Sequence, residues 1–239
     1  MKYTTILLDL DGTLLGMDED LFIKAYFKRL CMKLASHGYE PQKLIDVIWK
    51  GTKAMAANDG SKRNDEVFWQ VFAGEYGEAA LQDYPVFEDF YLHEFDEAKN
   101  ACETIPEVKP MIESLLKHGY RLALATNPIF PRIATEKRIG WAGLKPGMFE
   151  IVTTYENFRH AKPNLDYYRD IIGQLCVTPQ ECLMVGNDVH EDGIARQLGI
   201  DVFLFPRFLI NRKNIDISSY AQGGPAELLA YLEVDDALA

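Results

Sequence analysis

The sequence predicts an α/β protein, a doubly wound parallel sheet whose first strand is followed by an inserted block of helices. Three observations predict it. A short, apolar, β-prone segment over residues 4–10 breaks at Asp11-Gly12. From Met17 to about Asn100 the apolar residues recur at helical spacing. From Ile105 onward, apolar strand-like runs alternate with helical patterns. Such alternation implies a parallel sheet covered on both faces, with ligands outside the carboxyl ends of its strands.

The elements follow in order. Residues 4–10 read as a buried strand running into a loop. Ile23, Phe27, Leu30 and Leu34 then form one helical face, and Gly38 supplies its stop. Leu44, Val47, Ile48 and Met55 repeat the pattern after Pro41. Val67, Phe68, Val71 and Phe72 repeat it behind the Asn64-Asp65 cap signal, and Phe87, Phe90, Tyr91 and Phe95 close the region. An aromatic stripe at this spacing is expected to fill a helical core rather than line a pocket. A helix then opens at Pro110 and ends near Gly119, before a strand over residues 121–126. A weaker strand over 149–154 precedes a helix over about 164–173. Residues 182–186 read as an apolar strand, about 191–198 as a helix and 202–205 as one more strand. The division predicts an α/β core of residues 1–16 and 101–239 and a helical domain of residues 17–100. Residues 233–239 are expected to fray.

Composition narrows the function class. The chain has 239 residues, 48% of them apolar, which suits a folded core with a smaller second lobe. Its net charge of −11 speaks against nucleic acid as a partner, because that binding rests on clustered Lys and Arg. A small anionic substrate needs only a local positive site. No apolar stretch approaches the ~20 residues that cross a bilayer. Asp9 and Asp11 interrupt the apolar run near the start, and no small-residue cleavage site follows, so a cytoplasmic protein is expected. Cys31, Cys102, Cys176 and Cys182 show no metal or disulfide spacing and are expected to be buried free thiols. Monomer and homodimer both remain open.

Four polar clusters fall at the predicted strand ends: Asp9-Leu10-Asp11-Gly12-Thr13, Thr126-Asn127, Lys162-Pro163, and Asn187-Asp188 with Asp192. Two carboxylates two residues apart, with Gly12 permitting a turn, can converge on one cation or one phosphoryl group. A single Asp there would more simply cap turn amides. Clusters at successive strand ends point to a site.

The first cluster resembles the D-x-D-G-T signature of the haloacid dehalogenase-like hydrolase superfamily. Thr126 is similar to its second signature, Lys162-Pro163 to its third, and residues 185–192 to its fourth, an acidic metal loop. The order and spacing match over roughly residues 1–205. The resemblance implies that the helical insertion is a cap over the active site, hinged at Gly16-Met17 and at about 100–103. It implies a magnesium-dependent phosphatase acting on a small phosphorylated metabolite. Asp9 would be the nucleophile that forms an aspartyl-phosphate, and Asp11 the general acid and base. Mg²⁺ would be held by Asp9, the main-chain carbonyl of Asp11, and Asp188. The Thr126 hydroxyl and the Asn127 amide would bind phosphoryl oxygens, and Lys162 would neutralise charge in the transition state. Asn187 and Asp188 both fit the metal position, and Asp188 is preferred because a carboxylate binds Mg²⁺ better than an amide. Asn187 and Asp192 would then stand behind the ligands, with Asp192 orienting a metal-bound water or Lys162. His190 is expected to face solvent. A dehalogenase needs neither Asp11 nor Asp188. A sugar-phosphate mutase of the same superfamily shares this core chemistry and remains as an alternative, as does a non-catalytic phospho-binding module, against which retention of Asp11 speaks.

Overall fold

Strand β1 (Thr5–Leu8) is the axis of the molecule, and it is fully buried because it is covered on both faces. The computed structural model describes residues 2–234. β1 lies between β4 (Arg121–Leu124) and β6 (Cys182–Gly186), and Thr5 is in register with both Arg121 and Cys182. Beyond them come β5 (Ile151–Val152) on one side, and β7 (Asp201–Leu204) and β8 (Ala221–Gln222) on the other. The order is β5-β4-β1-β6-β7-β8, with every pairing parallel. The chain builds outward from β1 in both directions, so the strand order reverses there. That reversal opens a crevice at the carboxyl ends of β1, β4 and β6.

Side-chain alternation sorts the helices. Ile6 and Leu8 face α5 (Val108–Lys117), α6 (Arg132–Trp141) and α8 (Pro225–Tyr231), whereas Leu7 faces α7 (Leu165–Leu175) through Tyr167, Tyr168 and Ile171. This is the doubly wound α/β fold that the sequence predicts.

The helical block leaves and returns through one point. β2 (Leu15–Met17) pairs antiparallel with β3 (Cys102–Thr104), with Gly16 opposite Glu103. The flanks expected as separate hinges are therefore a paired ribbon. Between them run α1 (Glu19–Ala35), α2 (Pro41–Ala56), α3 (Asn64–Tyr76) and α4 (Tyr84–His93). Asp18 caps α1 by accepting the Leu21 amide, and Glu40 caps α2 ahead of Pro41. Phe90 and Phe95 are fully buried, in one apolar cluster continuous with the α5 face of the sheet.

Several expectations need correction. Helix α6 was not predicted, because its inward face carries the buried Arg138 and Thr135 among Ala134, Ile139 and Trp141, which breaks the apolar period. The helix expected over 191–198 is a 3-10 turn at Gly193–Leu198, ended by a left-handed Gly199. The strand expected over 149–154 pairs through Ile151 and Val152 alone. Of the expected frayed tail, Val234 is buried and its amide donates to the Leu229 carbonyl, while residues 235–239 lie outside the described residues. Cys31 and Cys182 are buried free thiols, but Cys102 is half-buried and Cys176 exposed, since Cys176 is the left-handed residue that ends α7. Among the described residues, no helix is long and apolar enough to cross a membrane.

Candidate active site

The crevice floor is made where β1 ends. The Asp9 amide still donates to Val185 (2.9 Å), after which the chain turns back on itself through Gly12-to-Leu15 and Leu15-to-Leu10 hydrogen bonds. Gly12 has φ +79°, and a Cβ there would stand 2.2 Å from the Asn187 amide nitrogen. Both the backbone conformation and the close approach of the β6 loop require glycine. The turn presents Asp9, Asp11 and Thr13 to the loops after β4 and β6.

Asp9 is held by both oxygens. Lys162 Nζ donates to Oδ1 (2.9 Å) and Thr13 Oγ1 to Oδ2 (3.1 Å). The same hydroxyl lies 3.1 Å from Asn187 Oδ1, and its single proton serves one acceptor at a time. Lys162 also donates to Asp192 Oδ1 (2.6 Å), and both of these side chains are only 1% exposed. Burial opposes the Lys162 charge, yet Asp192 and Asp9 more than offset it and hold the ammonium well above its usual range. Asp192 Oδ2 in turn accepts the Asp188 amide (2.9 Å). Asp188 Oδ1 accepts the His190 and Glu191 amides (2.7 and 2.8 Å). Asn187 donates Nδ2 to the Phe208 carbonyl (2.7 Å), which turns its amide oxygen toward Thr13.

Asp11 has a partner that the sequence does not announce. Arg138, buried on α6 and stacked over Phe130 at 4.5 Å, donates Nη1 to Asp11 Oδ2. Asp11 Oδ1 is buried with no hydrogen-bond partner among the described residues. Burial pushes the Asp11 carboxyl above its ordinary range, Arg138 opposes this, and nearby Asp9 adds to it. Across the crevice, Thr126 is buried after β4, its carbonyl accepting from Tyr167 (2.8 Å) and Thr153 (2.6 Å). The Asn127 side chain is a clamp: Oδ1 accepts the Lys162 amide (3.2 Å) and Nδ2 donates to Glu191 (3.0 Å). A cavity of about 760 Å³ lies over this floor, lined by Asp9, Asp11, Thr126, Asn127, Asn187, Asp188 and Asp192 together with the helical block.

The sequence profile of the haloacid dehalogenase-like hydrolase family matches residues 6–205, a span that contains Asp9, Asp11, Thr126, Asn127, Arg138, Lys162 and the loop from Asn187 to Asp192. The chain belongs to that family. Pyrophosphatase PpaX of Bacillus velezensis is 26% identical to this hydrolase over 196 residues, covering 80% of this chain and 77% of that one. Among solved structures, a predicted phosphoglycolate phosphatase from Haemophilus somnus superposes with a TM-score of 0.58 at 20% identity, over 97% of this chain and 99% of that one. CbbY from Rhodobacter sphaeroides, solved with phosphate, superposes with a TM-score of 0.59 at 18% identity, over 97% and 99% of the two chains. At these identities the two structures speak for the fold.

In this hydrolase the expected site residues other than Lys162 line one cavity. Lys162 stands apart, behind Asp9 and Asp192 instead of on the cavity wall. His190 is half-buried and accepts from Lys213 Nζ at 2.8 Å on Nε2, where exposure was expected. Arg138 and Glu191, which also line the cavity, received no role from the sequence. Arg138 sits in a charged stretch that carries no motif. Glu191 lies inside the acidic loop, and burial pushes its carboxyl up to about 8. Among the described residues, no three His, Cys, Asp or Glu side chains form a metal cage. Beside Asp9, the cavity floor offers the side-chain oxygens of Asp11, Asn187 and Asp188. That set fits a hard cation bound through one or two carboxylates with water, as Mg²⁺ is, and does not fit zinc.

Proposed function

We propose that this hydrolase is a magnesium-dependent phosphatase that acts on phosphate monoesters through an aspartyl-phosphate on Asp9. The observation that carries the reading is the pair Asp9 and Asp11 on one tight turn, facing Thr126 and the Asn187-Asp188 loop across a single cavity. Hydrolysis of phosphoryl compounds is also the activity named for the Bacillus relative. Residues 17–100 are read as the cap that excludes water from the reaction.

An Asp9 oxygen attacks phosphorus, and the bond to the leaving oxygen breaks. Asp11 gives that oxygen its proton. Arg138 holds Asp11 Oδ2, which leaves the unpartnered Oδ1 to carry the proton. Asp11 then takes a proton from the water that attacks the aspartyl-phosphate, and inorganic phosphate leaves with Asp9 restored. Lys162 fixes the orientation of Asp9 from behind. Thr126 and the Asn127 amide bind phosphoryl oxygens. Asp9, Asp188 and the Asp11 carbonyl would hold Mg²⁺, with Asn187 alongside, and the ion would screen Asp9 from the incoming anion.

The test is phosphate release from p-nitrophenyl phosphate with Mg²⁺, lost on adding EDTA. Asp9→Asn should abolish turnover. Asp11→Asn should lose about 10²–10⁴-fold, and a phosphoryl group should accumulate on the Asp9 peptide after an acid quench. A label on Asp11, or one undiminished in Asp9→Asn, reverses the roles.

A further inference from the structure

The cavity is far larger than its phosphoryl end. Its volume of about 760 Å³ lies within the roughly 300–1,000 Å³ of pockets that hold drug-sized ligands, larger than pyrophosphate or phosphoglycolate, each of about nine heavy atoms, would fill. Away from Asp9 the walls are Phe22, Phe27, Ile48, Trp49 and Phe68 from the helical block, closed against Phe130 of the core. The two halves meet: Phe22 and Tyr26 lie 6.2 and 5.6 Å from the Phe130 ring. Two of the lining hydroxyls, Tyr26 and Tyr91, hydrogen-bond to each other at 2.9 Å.

Charge on these walls is of the wrong kind for a second anionic group. Three arginines line the cavity. Arg138 is committed to Asp11 and Arg212 to Glu19. Arg132 is exposed at the edge, where the carboxylates of Glu136 and Glu156 also line the cavity, as does Glu88. A leaving group that carried its own carboxylate or phosphate would meet these acids and no buried unpaired cation.

We infer that the leaving group is bulky, apolar and uncharged, so that the substrate class is the phosphate monoester of a large aromatic or aliphatic alcohol. The inference rests on the phosphatase reading above and names the substrate class of that site. An apolar ring is desolvated by the aromatic walls, while the phosphoryl group stays at the polar floor. The orientation is thereby set by the contrast between the two ends.

The experiment compares kcat/KM for 1-naphthyl phosphate, phosphoglycolate, pyrophosphate and choline phosphate at fixed Mg²⁺. The naphthyl ester should lead by roughly tenfold or more. Ile23→Arg and Trp49→Arg, each placing a cation on the apolar wall, should lower the naphthyl value by about tenfold. Inhibition by inorganic phosphate, which touches only the floor, should be unchanged and shows that the variants are folded. Preference for phosphoglycolate or pyrophosphate overturns the inference and leaves the phosphatase reading standing. Preference for choline phosphate overturns it as well, in favour of a cation met by Glu88, Glu136 or Glu156. No hydrolysis of any of them overturns both.

Discussion

Lys162 gathers the catalytic floor into one unit. Its ammonium is bonded to Asp9 and Asp192, and Asp192 carries the chain on to the Asp188 amide. Such a buried array is weak as a source of stability while intact, but removing one member leaves charge with no partner. Lys162→Met should therefore destabilise the protein by about 3–5 kcal/mol, read as a lower urea midpoint, and an unchanged midpoint would show that water reaches these carboxylates. Asp188 and Asn187 divide the metal question between them. Asp188 spends one oxygen on its own loop amides, and Asn187 turns a neutral oxygen to the Thr13 hydroxyl that also reaches Asp9. If Asp188 supplies the charge, Asp188→Asn should raise the Mg²⁺ concentration for half-maximal activity by at least about tenfold, and Asn187→Ala should raise it less. The reverse ranking would move the ligand to Asn187.

At the scale of elements, the first turn of α3 ties the helical block to the core loops. Asn64 is fully buried, and its amide donates to the Phe158 carbonyl at 2.9 Å. Its side chain donates to the Pro128 and His160 carbonyls (3.1 and 3.4 Å) and accepts from Asn58 (2.9 Å). Pro128 follows Asn127 and His160 precedes Lys162, so one residue of the block grips both the β4 loop and the lysine loop. Asn64→Ala keeps the main-chain bond and strands the side-chain partners, a loss of about 1–3 kcal/mol. The expected readout is faster amide exchange at Phe158 and in the first turn of α3, with a higher KM. Exchange that is faster across the whole chain instead would mean that Asn64 supports global stability and is no local latch.

Across the whole molecule, burial separates four chemically identical thiols. Cys102 and Cys182 are pushed up by burial to about 12 and about 11, and burial also raises Cys31. Cys176 is exposed at the end of α7. The thiolate is the reactive form, so a raised pKa and exclusion of reagent act in the same direction. At pH 8 a disulfide reagent should label Cys176 quickly and the other three only as the protein opens. Raising the pH to about 9.5 should still leave Cys102 and Cys182 slow, because their raised values lie above that pH. Four fast thiols at pH 8 would contradict the burial described here. Denaturant should release all four, which makes the slow thiols a probe of global unfolding.

The chemistry legible in the sequence is local. Asp9, Asp11 and Gly12 share one turn, so their spacing alone puts both carboxylates at a strand end. The apolar runs before Thr126 and Asn187 likewise place those residues at the ends of β4 and β6. The alternation of runs was enough for the parallel sheet and the inserted helices, because periodicity is imposed by burial within each element. What the tertiary structure decided is remote along the chain. Arg138 meets Asp11 across 127 residues and Lys162 meets Asp9 across 153. No spacing rule reports such a pair, since its cost and benefit depend on the water that the folded chain excludes. The aromatic stripe was split in the same way. Phe90 and Phe95 fill the core as their spacing predicts, while Phe87 and Tyr91, from the same stripe, line the cavity as well. A helical period says that a face is buried. Whether packed side chains or a ligand space covers it is decided by the element on the other side, here α6 and the core loops.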